Sequence, residues 1–435
     1  MRNASEQELC RHVEMLCNQI GVRLAGSPQE REAAQYIHRE GLKYTERCWI
    51  EEFPVMERCV ESEILEVFQD GVWKKYPCSL FGSSPTTEGK TLEGELVLFD
   101  SHTDYQRDDL SGLKGKAVIH LGCHIDSAEK YGKLMKAEPA FLLFVDTRYP
   151  GNVPLADGLF PAYVAAMGAK PTVNVAYMDA WNWCTGKAEK ARLTVSGSTK
   201  QSLSTNVVIE LPGTDPDAGI LFAGGHHDTQ AGTVGADDNA IGSAAVIELA
   251  RIFSERPHRR TFRLISFGAE EQLSVGSASY VRKHRAELEA KGVFMCNFDS
   301  FGSSLGWTVL NVNSMPPMLE LIRKAFRENG IFFKEGSDVI PFTDQFPFAV
   351  AGIPGIWISR PNCEAGMFYH HRADNTPDKI GYTAAARHID AAAEMLSVLA
   401  DAEDISPFRG IPPETAKRVA EEWREVFGGW WSPQP

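Results

Sequence analysis

The sequence predicts an α/β fold: a mostly parallel central sheet flanked by helices, with a β-rich domain inserted into it. Three observations predict it. From about residue 192, short apolar runs alternate with amphipathic stretches, the order expected of strand–helix units. Several of these runs end in glycine or polar residues, as strands do when they deliver side chains to the carboxyl edge of a sheet. Between about 56 and 190 the texture changes to short β-rich runs separated by Gly, Pro, Asp and Ser. At 435 residues the chain is long for one core. It divides into 1–55 with 191–403 as one discontinuous domain, 56–190 as the insertion, and 404–435 as a C-terminal helix and tail.

Leu9, Val13, Leu16 and Ile20 recur at helical spacing and predict a first helix over 5–20. Ser27-Pro28-Gln29-Glu30 opens a second, running to about Gly41. Serine caps it, proline suits its first turn, and Glu30 completes a capping box. A strand follows around 48–55. In the insertion, 63–68, 94–99, 117–121, 140–145 and 173–177 read as strands, with room for two short helices. Beyond it, strands are expected at 206–210, 220–223, 262–267, 293–298, 307–312 and 355–359, and helices over 240–254, 274–289, 315–329 and 382–401. A proline-rich link leads to a polar helix at about 413–427 and a Gly-Gly-Trp-Trp tail. The tail either packs on the body or buries its tryptophans in a partner subunit.

Composition narrows the function. With 44 basic and 58 acidic residues the net charge is −14, which argues against a general nucleic-acid or anionic-membrane binder. No apolar run reaches the ~20 residues of a membrane span. The first residues carry no apolar signal segment. The nine cysteines are scattered, odd in number and never in Cys-x-x-Cys. Together these features predict a cytoplasmic protein with reduced thiols. His120, Cys123, His124 and Asp126 form a metal-like group in the insertion; it lacks a second ligand pair at a familiar spacing and reads as structural.

Chemistry gathers where predicted strands end. His226, His227, Asp228, Asp237 and Asp238 follow the strand at 220–223. Glu270 and Glu271 follow 262–267, Asp299 closes 293–298, and His370 and His371 come after 355–359. Carboxyl ends of parallel strands share one rim, so these groups can converge. Singly, each has an ordinary structural explanation. Jointly they supply what a two-metal hydrolase needs. One carboxylate bridges two divalent ions, and each ion takes an imidazole and a further carboxylate. Another carboxylate stays off the metals to accept a proton from water, and one more holds an imidazole's tautomer.

The carrying segments are Gly-Gly-His226-His-Asp228, Gly-Ala-Asp-Asp238-Asn-Ala-Ile-Gly, Phe-Gly-Ala-Glu270-Glu271, Asn-Phe-Asp299, Thr343-Asp-Gln-Phe-Pro-Phe-Ala-Val-Ala-Gly-Ile-Pro354 and Tyr369-His370-His-Arg-Ala-Asp374-Asn. In this order, over about 190–400, the chain resembles the co-catalytic zinc aminopeptidase family. That family includes bacterial leucyl aminopeptidases, aminopeptidase Y, glutamate carboxypeptidase and, more distantly, glutaminyl cyclase. Leu24-Ala-Gly-Ser-Pro also looks like its N-terminal portion, and 56–190 sits where many members insert a protease-associated domain.

The resemblance implies two zinc ions, with cobalt or manganese as substitutes. His226 and Asp299 would hold one, Glu271 and His370 the other, and Asp238, four residues before Gly242, would bridge them. Asp228 would orient His226. Glu270 would act as general base and then acid, and Tyr369 would donate a hydrogen bond to the oxyanion. His370 is preferred to His371 because it lies four before Asp374, which leaves His371 facing the substrate pocket. Gln345 departs from the family's Ser-Asp-His. The implied activity is that of an aminopeptidase cleaving peptides through metal-activated water. One alternative is a carboxypeptidase or deacylase on acidic or N-acylated substrates, with Arg360 and Arg372 as carboxylate binders; another is a non-catalytic binding relative. A homo-oligomer through the insertion or the tail is a further expectation.

Overall fold

The structure is a computed structural model that describes residues 3–125, 127–363 and 367–427. At its centre Ile220–His226 pairs in parallel with Thr261–Phe267 on one side and Gly292–Phe298 on the other. Gly292–Phe298 in turn pairs in parallel with Gly355–Ser359. Antiparallel strands flank this block: Thr308–Val312 against Gly355–Ser359, and Lys190–Leu211 against Thr261–Phe267. The carboxyl ends of the four central strands therefore lie on one rim, as expected.

The sheet is covered on both faces, so Ile220–His226 and Gly292–Phe298 are buried at every position rather than alternately. Leu221 and Ala223 point into a core shared with helices Pro28–Gly41, Ile241–Phe253 and Tyr382–Asp401. Ile220 and Phe222 point the other way, against Tyr280, Leu288 and Phe348. Helix Ile241–Phe253 approaches the sheet closely where glycines allow it. A Cβ on Gly242 would stand 2.3 Å from the Phe298 carbonyl oxygen, and one on Gly225 2.6 Å from the same atom.

Helix Pro28–Gly41 starts as its sequence requires, with Ser27 Oγ accepting the Glu30 N–H at 3.2 Å. The Glu30 carboxylate does not close the box on Ser27. It accepts the Gly26 N–H at 2.5 Å, the Ser204 hydroxyl at 2.5 Å and the Ala269 N–H at 3.2 Å. That fastens the helix to the turn preceding Glu270. The expected helix over 274–289 is two helices, Val275–Lys283 and Arg285–Lys291, because His284 (φ −103°) leaves the helical region.

The insertion is less purely β than its sequence reads. Leu92–Asp100, Ala117–Leu121, Phe141–Val145 and Thr172–Val175 form a parallel run, with helices Ala128–Lys136, Pro161–Met167 and Tyr177–Thr185 beside it. These helices have nine, seven and nine residues, too short for a clear 3.6-residue period. The expected boundary after residue 55 falls inside the strand Cys48–Gln69. That 22-residue strand pairs antiparallel along Lys190–Leu211, with a bulge between Val60 and Ser62. Phe346 and Ala349, with Val419, Trp423 and Phe427 of Pro413–Phe427, close a core against Phe81, Phe99 and Phe144 of the insertion. The tail tryptophans and Asp126 lie outside the described residues. Among the described residues no helix is long and apolar enough to cross a membrane.

Candidate metal centre

His226 is the last residue of its strand and is fully buried. Asp228, two residues on, has Oδ1 3.4 Å from His226 Nδ1. The same carboxylate accepts the backbone N–H groups of Glu270 and Glu271 at 3.0 and 3.1 Å. One side chain thus orients an imidazole and fixes the turn that carries two glutamates. The turn needs such support, because Ala269, Leu273 and Ser274 all take positive φ (50°, 67° and 53°), which side-chain-bearing residues disfavour.

Asp238 sits in a turn anchored by its neighbours. Asn239 donates its side-chain N–H to the Phe298 carbonyl at 2.8 Å and accepts the Gly242 N–H at 2.9 Å. The Asp237 N–H donates to Asn375 Oδ1 at 2.8 Å, which ties this turn to the histidine loop. The Asp238–Asn239 peptide is cis.

The side chains converge on Asp238. Its Oδ1 lies 3.2 Å from His226 Nε2, and Asp299 Oδ1 lies 3.5 Å from the same nitrogen. Its Oδ2 lies 3.4 Å from His370 Nε2 and 3.3 Å from His371 Nε2. Glu271 Oε2 approaches His371 Nε2 at 3.0 Å. Glu270 stands slightly apart, with Oε2 3.8 Å from His226 Nε2 and Oε1 accepting the Ser274 hydroxyl at 3.2 Å. Two donor sets result, His226 with Asp238 and Asp299, and Asp238 with His370 and His371.

The electrostatics of this cluster call for cations. Burial raises the pKa of Glu270 well above the usual range, raises Asp299, and raises Glu271 to about 7. Burial opposes the Asp238 charge as well, but the His226 and His371 imidazoles outweigh it and hold Asp238 low. His226 Nε2, Asp238 Oδ2 and Glu271 Oε1 are buried without a hydrogen-bond partner. Orphans of this kind cost about 1–3 kcal/mol each unless a ligand compensates. A mixed imidazole–carboxylate donor set suits zinc and neighbouring transition metals better than it suits calcium or magnesium. The residues present therefore fit divalent transition-metal binding.

The histidine loop departs from the sequence reading. Both imidazoles reach Asp238, stacked at 3.7 Å between centroids, but it is His371 that also meets Glu271. The register counted back from Asp374 explains the difference. Asp374 is exposed, whereas Asn375 is buried and bonded to the Asp237 turn, and His371 lies four residues before Asn375.

The two arginines expected at the substrate are corrected. Arg360 donates to the carbonyls of Ser303 and Gly306 at 2.9 and 3.0 Å. Arg372 is 4% exposed, pairs with Asp146 at 2.5 Å and donates to the Phe368 carbonyl at 2.8 Å. Both hold backbone rather than offering a free fork to a carboxylate. The Tyr369 hydroxyl is buried without a hydrogen-bond partner; burial and the Asp237 charge raise its pKa. His227 faces Ser266 Oγ at 3.0 Å and Asp237 accepts the Gly302 N–H at 2.7 Å, so both serve the scaffold. His120 stacks on Phe99 and Phe144 and meets the Tyr105 hydroxyl at 3.0 Å, a core histidine as expected.

Two groups escaped the sequence reading. Asp344 is fully buried with both oxygens unpartnered, and burial raises it to about 7. Asp157 of the insertion has Oδ2 3.9 Å from His371 Nδ1. Asp344 was legible only as part of a motif, and Asp157 carries no local signal.

Comparison with known proteins agrees with this geometry. Residues 206–396 match peptidase family M28. Aminopeptidase YwaD of Bacillus subtilis (strain 168) is 26% identical over 376 residues, covering 83% of this chain and 78% of that relative. Among solved structures, a peptidase M28 precursor from Shewanella amazonensis SB2B superposes with a TM-score of 0.79 at 20% identity, covering 94% of this chain and 96% of that one. BSAP, a zinc aminopeptidase from Bacillus subtilis, superposes at 0.75 and 19% identity, covering 93% and 98%. At these identities the structures speak for the fold.

Proposed function

We propose that the chain is a dinuclear zinc aminopeptidase that releases N-terminal residues from peptides, a reading supported by the match of residues 206–396 to peptidase family M28. The observation that carries the proposal is the two-sided use of Asp238: Oδ1 faces His226 at 3.2 Å while Oδ2 faces His371 at 3.3 Å. Such a carboxylate suits a bridge. In this reading His226 and Asp299 would hold one zinc and Glu271 and His371 the other, with His370 beside the second. The 26% identity to aminopeptidase YwaD of Bacillus subtilis supports the same reading.

Bound there, zinc would supply Lewis acidity to polarise the scissile carbonyl and to lower the pKa of the attacking water. The protein's own groups do the rest. Glu270 lies off the donor sets and is steadied by Ser274, so its carboxylate accepts the water's proton and returns it to the leaving amine. Asp228 keeps the His226 tautomer and the Glu270 backbone fixed during both transfers. Tyr369, whose hydroxyl lies by Ser303 and Asp237, contributes a donor to the developing oxyanion.

The carboxypeptidase or deacylase alternative needs a cation for the substrate carboxylate, and Arg360 and Arg372 are committed to carbonyls and Asp146. A panel of amino-acid anilides with free and acetylated amines tests the choice. Hydrolysis of the free-amine set is expected; cleavage confined to the acetylated set would reject the aminopeptidase reading.

A further inference from the structure

We propose that Asp157, supplied by the inserted segment, is the positioning carboxylate for the His371 imidazole, so that the insertion forms part of the metal centre. The inference rests on the reading of His371 as a ligand. His371 Nε2 faces Asp238 and Glu271, so Nδ1 points away from the donor set. A ligating imidazole needs an acceptor at its other nitrogen to fix ring and tautomer. On the first histidine that acceptor is Asp228, from the same strand end. On His371, Nδ1 is buried without a hydrogen-bond partner, and Asp157 Oδ2, which also faces His124 Nδ1, stands 3.9 Å away. About 1 Å of side-chain movement converts that contact into an ordinary N–H···O bond. The other Asp157 oxygen already accepts the Gly158 N–H at 2.7 Å.

The backbone around both groups is locked in place for this contact. The Ala156 N–H donates to the His371 carbonyl at 2.8 Å, where His371 takes a left-handed φ of 54°. Asp146 pairs with both Arg372 (2.5 Å) and Arg148 (2.8 Å), and Tyr149 stacks on Phe368 at 4.8 Å. Asp157 Oδ2 also lies 3.4 Å from Nδ1 of the partly exposed His124. The carboxylate thus lies between an outer imidazole and the inner one.

The test measures zinc affinity by competition with a chromophoric chelator, starting from metal-free full-length chain and reading no activity. Wild type should hold two zinc ions. Asp157→Ala should weaken one of them by ~10–100-fold and leave the other unchanged. Asp157→Asn, which keeps an acceptor oxygen of the same size, should recover part of the loss and covers the case that the alanine variant fails to fold. Tyr149→Leu, which loosens the same interface without touching His371, should bind both ions as wild type does. Wild-type affinity in Asp157→Ala, an asparagine variant no better than alanine, or equal weakening in Tyr149→Leu would overturn the proposal. Fewer than two zinc ions in wild type would overturn the dinuclear reading itself, and this inference with it.

Discussion

Asp228 reaches three functional residues, through the His226 ring and the Glu270 and Glu271 backbone N–H groups. Its replacement should therefore do more than loosen one ligand. Asp228→Ala is expected to cut zinc affinity by ~10–100-fold and to lower kcat as well, since Glu270 loses its anchor; zinc binding and steady-state kinetics check both. Full turnover at saturating zinc would show that Glu270 does not depend on Asp228. Glu270→Gln should behave in the opposite way, keeping its zinc while kcat falls ~10²–10⁴-fold. Activity near wild type would remove Glu270 from the proton-transfer role. At this scale His226, Glu271 and Asp299 were legible because each lies at or just beyond the end of an apolar run, and Asp238 because it stands before an apolar helix. The choice between His370 and His371 was not, because it depends on which following residue, Asp374 or Asn375, is buried to anchor the loop.

The central strands carry the site on their ends and the stability in their middles. Phe222, fully buried in Ile220–His226, packs on Phe348 at 5.2 Å and Tyr280 at 6.5 Å between centroids. Phe222→Ala should cost ~3–5 kcal/mol, seen as a lower urea midpoint at an unchanged slope. A loss under about 1 kcal/mol would mean that the face against Val275–Lys283 and Gln345–Val350 repacks freely. These strands were readable as continuous apolar runs because both faces are covered. Strand Phe333–Gly336 and the short helices of the insertion were not, since four to nine residues hold too little periodicity. The length of Cys48–Gln69 was also hidden, because its pattern changes at the Val60 bulge while its pairing continues.

Across the whole molecule, the insertion and the peptidase core meet over the histidine loop. Contacts such as Arg372 with Asp146 join residues far apart in sequence, which single-chain pattern reading cannot reveal. Acid sensitivity is a property of the same scale. Burial pulls His12, His120 and His388 down to about 4, whereas in the unfolded chain each takes a proton near pH 6.5. At these three sites the unfolded state binds more protons between those values, so their contribution to stability falls as pH drops below about 6.5 and continues to fall towards 4. Glu271 and Asp344, raised to about 7 by burial, act in the opposite direction in the metal-free chain, so the test compares variants: His120→Phe should lose less Tm than wild type between pH 7 and pH 5, and an equal or larger loss would contradict the assignment. The central claim is that Asp238 joins two metal positions, and calorimetric titration of zinc into the metal-free chain tests it most directly. Two equivalents should bind to wild type, and Asp238→Asn should weaken both. A single equivalent, or an Asp238 variant that binds as wild type does, would contradict it.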